Sequence, residues 1–395
     1  MREVYVLGAG MTQFGKHPDR SLKDLGREAC RHAIRDAGIA PKQIEAGYCG
    51  NALAPALQGE TGVGQNVFWE VGIHEIPIVN VENACATGST ALREGWMAIA
   101  GGFHNIVIIT GVEKTVMPKG TLLNVGAGEL ETRLGDVFPG QFALIAQKHM
   151  ERYGTSLKQL AQVSVKNHFH GTLNPYAQFQ KQLTVEEVLN SPVIADPLTL
   201  YSCCPNSDGG AALVLCGRDI ARKMDGRSVK IAASVLTTGT YSHQRDITAW
   251  EIEKRAAEQA YRLASLGPED LDVVEVHDAF TISEIIHYED LGLCKPGEGG
   301  RLVEEGITAL GGRVPVNPSG GLLSKGHPVG ASGVAQVVEI VWQLRGHAGK
   351  RQVENARVGL AQIMGGYKEW DTRACTVHIL VRDSSVAQGR PKRIT

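Results

Sequence analysis

The chain repeats itself at the scale of a domain. The punctuation Ala40-Pro41-Lys42-Gln43-Ile44 after a first helix (Leu22–Ala37, stopped by Gly38) returns as Gly267-Pro268-Glu269-Asp270-Leu271 after the helix Ala256–Leu266. The apolar run Ile76–Val81, a turn at Cys85 and a helix return as Val314–Val316, a longer loop, Gly330-Ala331-Ser332-Gly333 and an apolar helix. Asn105 before the strand at Ile106–Thr110 is echoed by Asn355 before Val358–Ala361, and the closing strand Ala212–Cys216 by Val377–Val381. The spacing drifts slowly, as loops of unequal length would make it. Units this long, with strands and helices interleaved, are α/β halves and not solenoid repeats. The pattern predicts two halves, 1–225 and 226–395, and a length of 395 residues suits two such units.

One large difference separates the halves. The first carries an insert, 114–205, where the second has only Met364–Cys375. The insert is rich in His, Gln, Asn and Tyr, with helical stretches at Gln141–Tyr153 and Leu157–Phe169, and reads as a subdomain lying over substrate. A net charge of −2 supplies no general attraction to nucleic acid or to an anionic membrane. No apolar run approaches the roughly 20 residues that span a bilayer. Met1–Gly10 reads as a first strand and not as a signal peptide. Eight cysteines lie scattered without a Cys-x-x-Cys pair, which predicts reduced thiols in a cytoplasm and no metal site. The basic tail 389–395 is expected to be a solvated end.

The chemistry begins at Asn83-Ala84-Cys85, between the run ending at Val81 and the helix opening at Ala86-Thr87-Gly88-Ser89. A thiol at such a turn faces the unpaired N–H groups and positive end of the helix, which favour thiolate. A small buried core cysteine is the plain alternative. Two histidines break the tie. Val273–Phe280 is expected to be a strand delivering His277 and Asp278 at its C-terminal end, where ligands gather in α/β sheets. Asn317–Gly333 places His327 in a loop before a buried helix, and Ile363-Met364-Gly365-Gly366 follows a strand. His168 and His170, as His-Phe-His without a third ligand, read as structural or surface residues. Cys203-Cys204 before Pro205 reads as loop thiols lacking a base. Gly8-Ala9-Gly10 starts like a dinucleotide fingerprint, but Gln13 stands where the third glycine is needed, so a sharp turn is expected there.

Together, NACATGSTAL, HDAF and NPSGGLLSKGHPVGASG resemble the thiolase superfamily, and within it the sterol-carrier-protein type with its bacterial and archaeal relatives, over nearly the whole chain. The resemblance implies an α/β, five-layer α-β-α-β-α sandwich of two duplicated halves with an inserted loop domain. It implies reversible Claisen condensation and thiolytic cleavage of 3-oxoacyl-CoAs through an acyl-Cys85 intermediate. In that chemistry His327 resembles the base that takes the thiol proton, and His277 the group that polarises the second thioester. Gly366 resembles the glycine whose N–H joins that of Cys85 in an oxyanion hole. Asn317, Ser324, Lys325 and Gly326 are expected to contact substrate. Coenzyme A enters as substrate or product, with no permanently bound cofactor. A homodimer or larger assembly is implied, as is a small partner subunit with a zinc ribbon and OB fold.

One departure stands out. The second cysteine that moves the α-proton in many relatives resembles Met364 here, and the alternative cysteine position resembles Ala279. The acyl group stays open, with an aromatic or branched acyl-CoA such as benzoylsuccinyl-CoA among the expectations. The rival reading is a weakly catalytic acyl-CoA- or lipid-binding scaffold of the same fold.

Overall fold

The computed structural model describes residues 1–115, 128–223, 229–240, 245–368 and 370–382. The expected solvated tail 389–395 and the stretch 116–127 of the insert lie outside the described residues. The first half begins with β1 (Val4–Met11), buried along its whole length, as a strand covered on both faces must be. Helix α1 (Leu22–Ala37) starts at Ser21, whose hydroxyl accepts the Asp24 N–H while the Asp24 carboxylate accepts the Ser21 N–H. It stops at Gly38, in the left-handed region at φ 67°. Gly8 and Gly10 do not make the expected turn; they lie inside β1. A Cβ on Gly8 would stand 2.1 Å from the Ala33 carbonyl oxygen, so the missing side chains let α1 lie on the strand.

The half continues through β2 (Ala46–Gly50), α2 (Val63–Trp69), β3 (Ile78–Val81), α3 (Thr87–Ala100) and β4 (Ile106–Glu113). The insert contributes α4 (Phe138–Tyr153) and α5 (Leu157–Thr172), and β5 (Gly209–Gly217) closes the half. The second half follows the same plan with β6 (Val229–Thr237), α6 (Glu251–Ala264), β7 (Val273–Glu275), α7 (Thr281–Asp290), α8 (Val329–Arg345), β8 (Val358–Lys368) and β9 (Asp371–Arg382).

Among the described residues nine strands form one sheet in the order β3-β2-β4-β5-β1-β6-β9-β8-β7. From the β1–β6 seam outward, both halves repeat the same order. The seam is antiparallel and short: Val4 faces Ile231, Tyr5 faces Lys230 and Val6 faces Val229. Three sequence expectations shift here. Val314–Val316 makes only an isolated bridge, Val316 to Val274, instead of a strand. The strand expected over Val273–Phe280 stops at Glu275, so His277 and Asp278 sit in the turn beyond it. Ile363–Gly366 lies inside β8 and not after it, because β8 continues into a hairpin with β9.

Among the described residues three large apolar clusters fill the spaces between five layers. α1 and α2 cover the outer face of the first half-sheet, α6 and α7 that of the second, and α3 with α8 fill the middle. Almost every residue of α8 is buried, the signature of a helix enclosed on all sides. α3 and α8 approach so closely that a Cβ on Gly88 would stand 2.3 Å from the Gly330 carbonyl oxygen and 2.8 Å from the Val334 side chain. A backbone oxygen cannot swing away as a long side chain can. Gly88→Ala is therefore expected to cost about 1–3 kcal/mol, read as a lower denaturant midpoint at unchanged slope. An unchanged midpoint would show that the two helices can part without loss.

Candidate active site

Cys85 sits in one tight turn, Ala84–Ala86, between β3 and the first residue of α3. The Asn83 N–H donates to Thr87 Oγ1 at 2.8 Å and the Ala84 N–H to the Glu82 carboxylate at 2.7 Å. Ala84 is held at φ 48°, a left-handed conformation that costs a residue with a Cβ on the order of 1 kcal/mol. That turn brings the sulfur to a residue of the second half, His327. The expected thiolate is corrected here. Burial pushes the Cys85 thiol up to about 12, outweighing the Gly366 and Cys85 N–H groups that pull the other way. At rest Cys85 carries a thiol.

What can activate it lies beside it. His327 Nε2 is 3.3 Å from Cys85 Sγ. The other ring nitrogen, Nδ1, is 2.8 Å from Ser332 Oγ, and that hydroxyl donates its own proton to the Pro328 carbonyl. Nδ1 must then carry the hydrogen and donate to Ser332, which leaves Nε2 bare to accept from the thiol. Burial holds His327 down to about 4, so it is neutral at physiological pH. The His327 N–H donates to Ser207 Oγ at 3.0 Å, fixing the loop's start.

His277 faces the pair from the turn after β7, its ring 5.4 Å from that of His327 at 64°. Its backbone is clamped: the N–H donates to Gln362 Oε1 at 3.0 Å and the carbonyl lies 3.0 Å from His287 Nε2. The side chain is 7 % exposed, yet neither ring nitrogen has a partner. Burial, then the neighbouring His327 and His287, keep it well below the usual histidine range and so neutral. The donor atoms of Cys85, His277 and His327 lie within 4.8 Å of one another. Three such atoms could hold a soft metal ion, but the hydrogen-bonded thiol–imidazole pair already has the geometry of proton transfer.

The Gly366 N–H reaches the Cys85 sulfur from β8. Gly366 has φ 69°, and a Cβ on Gly365 would stand 2.1 Å from the Asn83 carbonyl oxygen, so both positions need glycine to bring β8 against the turn. Two N–H groups, those of Cys85 and Gly366, then converge on the sulfur.

The structure sets the remaining predicted residues apart from the cavity. Asn317 is fully buried, its amide donating to Glu284 at 2.6 Å and its side-chain oxygen accepting from the Val276 N–H at 2.9 Å. Lys325 pairs with Glu275 at 3.3 Å, also out of solvent. Ser324 donates to the Phe179 carbonyl at 2.9 Å. Gly326, at φ 107°, makes room for Ser207 Oγ. Their assignment as substrate contacts is corrected: the first three have spent their polar atoms on protein, and all four brace the loop that carries His327. Asp278 completes that brace, accepting the Leu322 N–H at 2.6 Å and the Leu323 N–H at 3.2 Å. His168 and His170 are buried and structural; His170 donates from Nδ1 to the Asn317 carbonyl at 2.9 Å and accepts the Leu310 N–H at 3.0 Å.

Cys85, His277, His327 and Gly366 open into a cavity of about 350 Å³. Its apolar wall comes largely from the insert, with Phe138, Phe142, Ile194 and Leu200 facing Phe280 and Tyr367. The Phe142 and Phe280 rings stack at 4.4 Å. The insert is more than a cover, since Phe142, Ile145 and Val163 belong to the same apolar core as α6 and α7. Cys203 and Cys204 line this cavity too, against the expectation of idle loop thiols. No spacing rule pointed to them, because the segment meets the turn after β7 only in three dimensions.

Comparison with known proteins places the chain. Residues 4–219 match the family profile described as Thiolase, N-terminal domain, and residues 233–380 match Thiolase C-terminal domain-like. The chain belongs to the thiolase family, whose activity is acyl-CoA C-acyl transfer with coenzyme A as substrate or product. It is 46 % identical over 371 residues to an acetyl-CoA acetyltransferase of Methanothermobacter thermautotrophicus, covering 93 % of this chain and 97 % of that one. It is 39 % identical over 372 residues to the benzoylsuccinyl-CoA thiolase subunit BbsB of Thauera aromatica, covering 92 % and 95 %. Among solved structures, the Ltp2-ChsH2(DUF35) aldolase superposes with a TM-score of 0.84 at 25 % identity, over 97 % of this chain and 99 % of that one. Human mitochondrial 3-ketoacyl-CoA thiolase in complex with CoA superposes at 0.73 and 18 % identity, over 96 % and 98 %, which bears on the fold alone.

Proposed function

We propose that Cys85, His327 and His277 carry a thiolase cycle in this chain, with the acyl group held on Cys85. The 3.3 Å contact between Cys85 Sγ and the bare Nε2 of His327 is the observation that carries this reading. His327 draws the thiol proton as sulfur attacks the acyl-CoA carbonyl, the Cys85 and Gly366 N–H groups hold the oxyanion, and coenzyme A leaves. His277, neutral and with both ring nitrogens unpartnered, donates to the thioester oxygen of the second acyl-CoA, where the enolate charge builds. The enolate carbon then attacks the acyl-Cys85 carbonyl; the reverse sequence is thiolysis. The scaffold reading does not need a thiol and an imidazole aligned this way.

Incubation with acetyl-CoA should add one acetyl group to Cys85, seen by intact-protein and peptide mass spectrometry, and should yield acetoacetyl-CoA. Failure to acylate Cys85 with any of a panel of acyl-CoAs would overturn the thiolase cycle and leave the scaffold reading. Benzoylsuccinyl-CoA, named for the Thauera relative, belongs in the cleavage panel because the aromatic wall formed by Phe138, Phe142 and Phe280 suits a flat acyl group. The proposal extends to quaternary structure: a homodimer or larger assembly with a small zinc-ribbon/OB-fold subunit, in a cytoplasm. The Thauera relative is one subunit of a thiolase, and the aldolase pairs Ltp2 with ChsH2(DUF35), which supports the partner. Among the described residues no helix is long and apolar enough to cross a membrane.

A further inference from the structure

Carbon–carbon bond formation needs a group that takes the α-proton of the second acyl-CoA, within hydrogen-bond reach of that carbon. Met364 and Ala279 both face the cavity and neither carries a proton acceptor suited to this. Cys85 is occupied by the acyl group at that stage. His327 then holds the proton taken from Cys85, with Nδ1 committed to Ser332. The Tyr367 hydroxyl is 3.3 Å from the Trp250 indole nitrogen, which donates to it. Cys203 points its thiol at the Thr199 carbonyl, 3.4 Å away.

His277 and Cys204 remain. The two nitrogens of one imidazole point in diverging directions, so a ring donating to a thioester oxygen does not turn its other nitrogen on the adjacent α-carbon. Cys204 is under no such conflict. Its backbone N–H donates to the Ala279 carbonyl at 2.9 Å, and Cys203 bridges Phe280 in antiparallel register. These two contacts lay the 203–204 segment against the turn carrying His277. They bring a thiol to the side of Ala279, which has only a methyl. The Cys204 thiol is near enough to Cys85 for a charge on one to oppose a charge on the other.

We propose that Cys204 is the catalytic acid and base at the α-carbon, a role that rests on the thiolase cycle above. The steps balance. Cys85 passes its proton to His327 Nε2 and its sulfur bonds the acyl carbon; the carbon–sulfur bond to coenzyme A breaks, and the departing thiolate takes the Cys204 proton. Cys204, now a thiolate, removes the α-proton of the second acyl-CoA, and the electron pair moves onto the thioester oxygen facing His277. The enolate carbon bonds the acyl carbon, the bond to Cys85 breaks, and its sulfur regains the proton from His327. Two acyl-CoAs give one 3-oxoacyl-CoA and one coenzyme A, with all three side chains restored. Burial keeps Cys204 protonated at rest, and among the described residues no imidazole is bonded to it. It therefore becomes a base only when a thiolate leaves beside it, and does not compete with Cys85 for the acyl group.

Cys204→Ala and Cys204→Ser, checked by circular dichroism and thermal melting against the parent, test this. Acetyl-CoA in D2O reports exchange at the α-carbon, intact-protein mass reports acetyl-Cys85, and acetoacetyl-CoA reports condensation. Both variants should still form acetyl-Cys85 but lose α-exchange and condensation by about 10²–10⁴-fold. Retention of exchange and condensation by Cys204→Ala would overturn the proposal, as would their loss in Cys203→Ala with Cys204→Ala active. A parent protein that never forms acetyl-Cys85 would fail earlier, bringing down the thiolase cycle itself and this proposal with it.

Discussion

Cys85→Ala should abolish acyl transfer, by at least about 10⁴-fold, while binding of coenzyme A persists, because the lost group is chemical and not a packing element. In the parent, limiting iodoacetamide should label Cys85 first among the eight cysteines, and acyl-CoA should protect it. The pH dependence is the sharper test. Alkylation assisted by His327 needs a neutral imidazole and a protonated thiol together. His327, lowered to about 4, is neutral above that value, and Cys85, raised to about 12, keeps its proton below that one. The product of the two populations is level between them. The labelling rate should therefore stay flat from about pH 5 to pH 8 and fall as the imidazole protonates near about pH 4. A free thiol would quicken about tenfold per unit across the same range. A rate that climbs in that way, or first labelling at Cys203 or Cys204, would break the assigned pair.

The two histidines should fail at different steps. His327→Ala removes the acceptor bonded to the thiol, so acylation from acyl-CoA should already slow by about 10²–10⁴-fold. His277→Ala leaves that pair intact. It should form acyl-Cys85 at close to the parent rate and lose condensation by a similar factor, since the enolate oxygen has lost its donor. Intact-protein mass spectrometry on a seconds timescale reads the first step and a 3-oxoacyl-CoA assay the second. Full condensation by His277→Ala would remove it from the second substrate. Equal slowing of acylation in both variants would mean that the rings act as one unit.

Much of this was legible in the residues. The repeated order of helix, strand and glycine-rich turn gave away the duplication, because strand and helix periods survive changes in loop length. Cys85, His277 and His327 stood out because each lies at a strand end or loop of one of those units. What stayed hidden was tertiary. Gly8 and Gly10 looked like a turn because close approach of a helix to a strand uses the same residue as a sharp bend. Asn317, Ser324 and Lys325 looked like substrate contacts, being polar residues in a glycine-rich loop. Only the structure shows their partners, Glu284, Phe179 and Glu275. The thiolate expected from the helix end gave way to burial, whose extent no local pattern reveals. Cys204 was set aside for want of a base, and what brings it to the cavity, the Ala279 carbonyl that its N–H meets, belongs to a segment far along the sequence.

The separate origins of the chemistry and of the cavity wall bear on how such an enzyme changes. Cys85, His277, His327 and Gly366 are rooted in the doubled core, where a single methyl on Gly88 collides with backbone, and among the proposed participants only Cys204 comes from the insert. The apolar wall of the cavity belongs largely to a segment the other half does without. Substitutions at Phe138, Ile194 or Leu200 can reshape what fits without moving Cys85 or His327. The shape of the cavity can thus change while the contact between Cys85 and His327 stays as it is, so variants of that wall should differ in which acyl-CoA they prefer while the thiol keeps its partner.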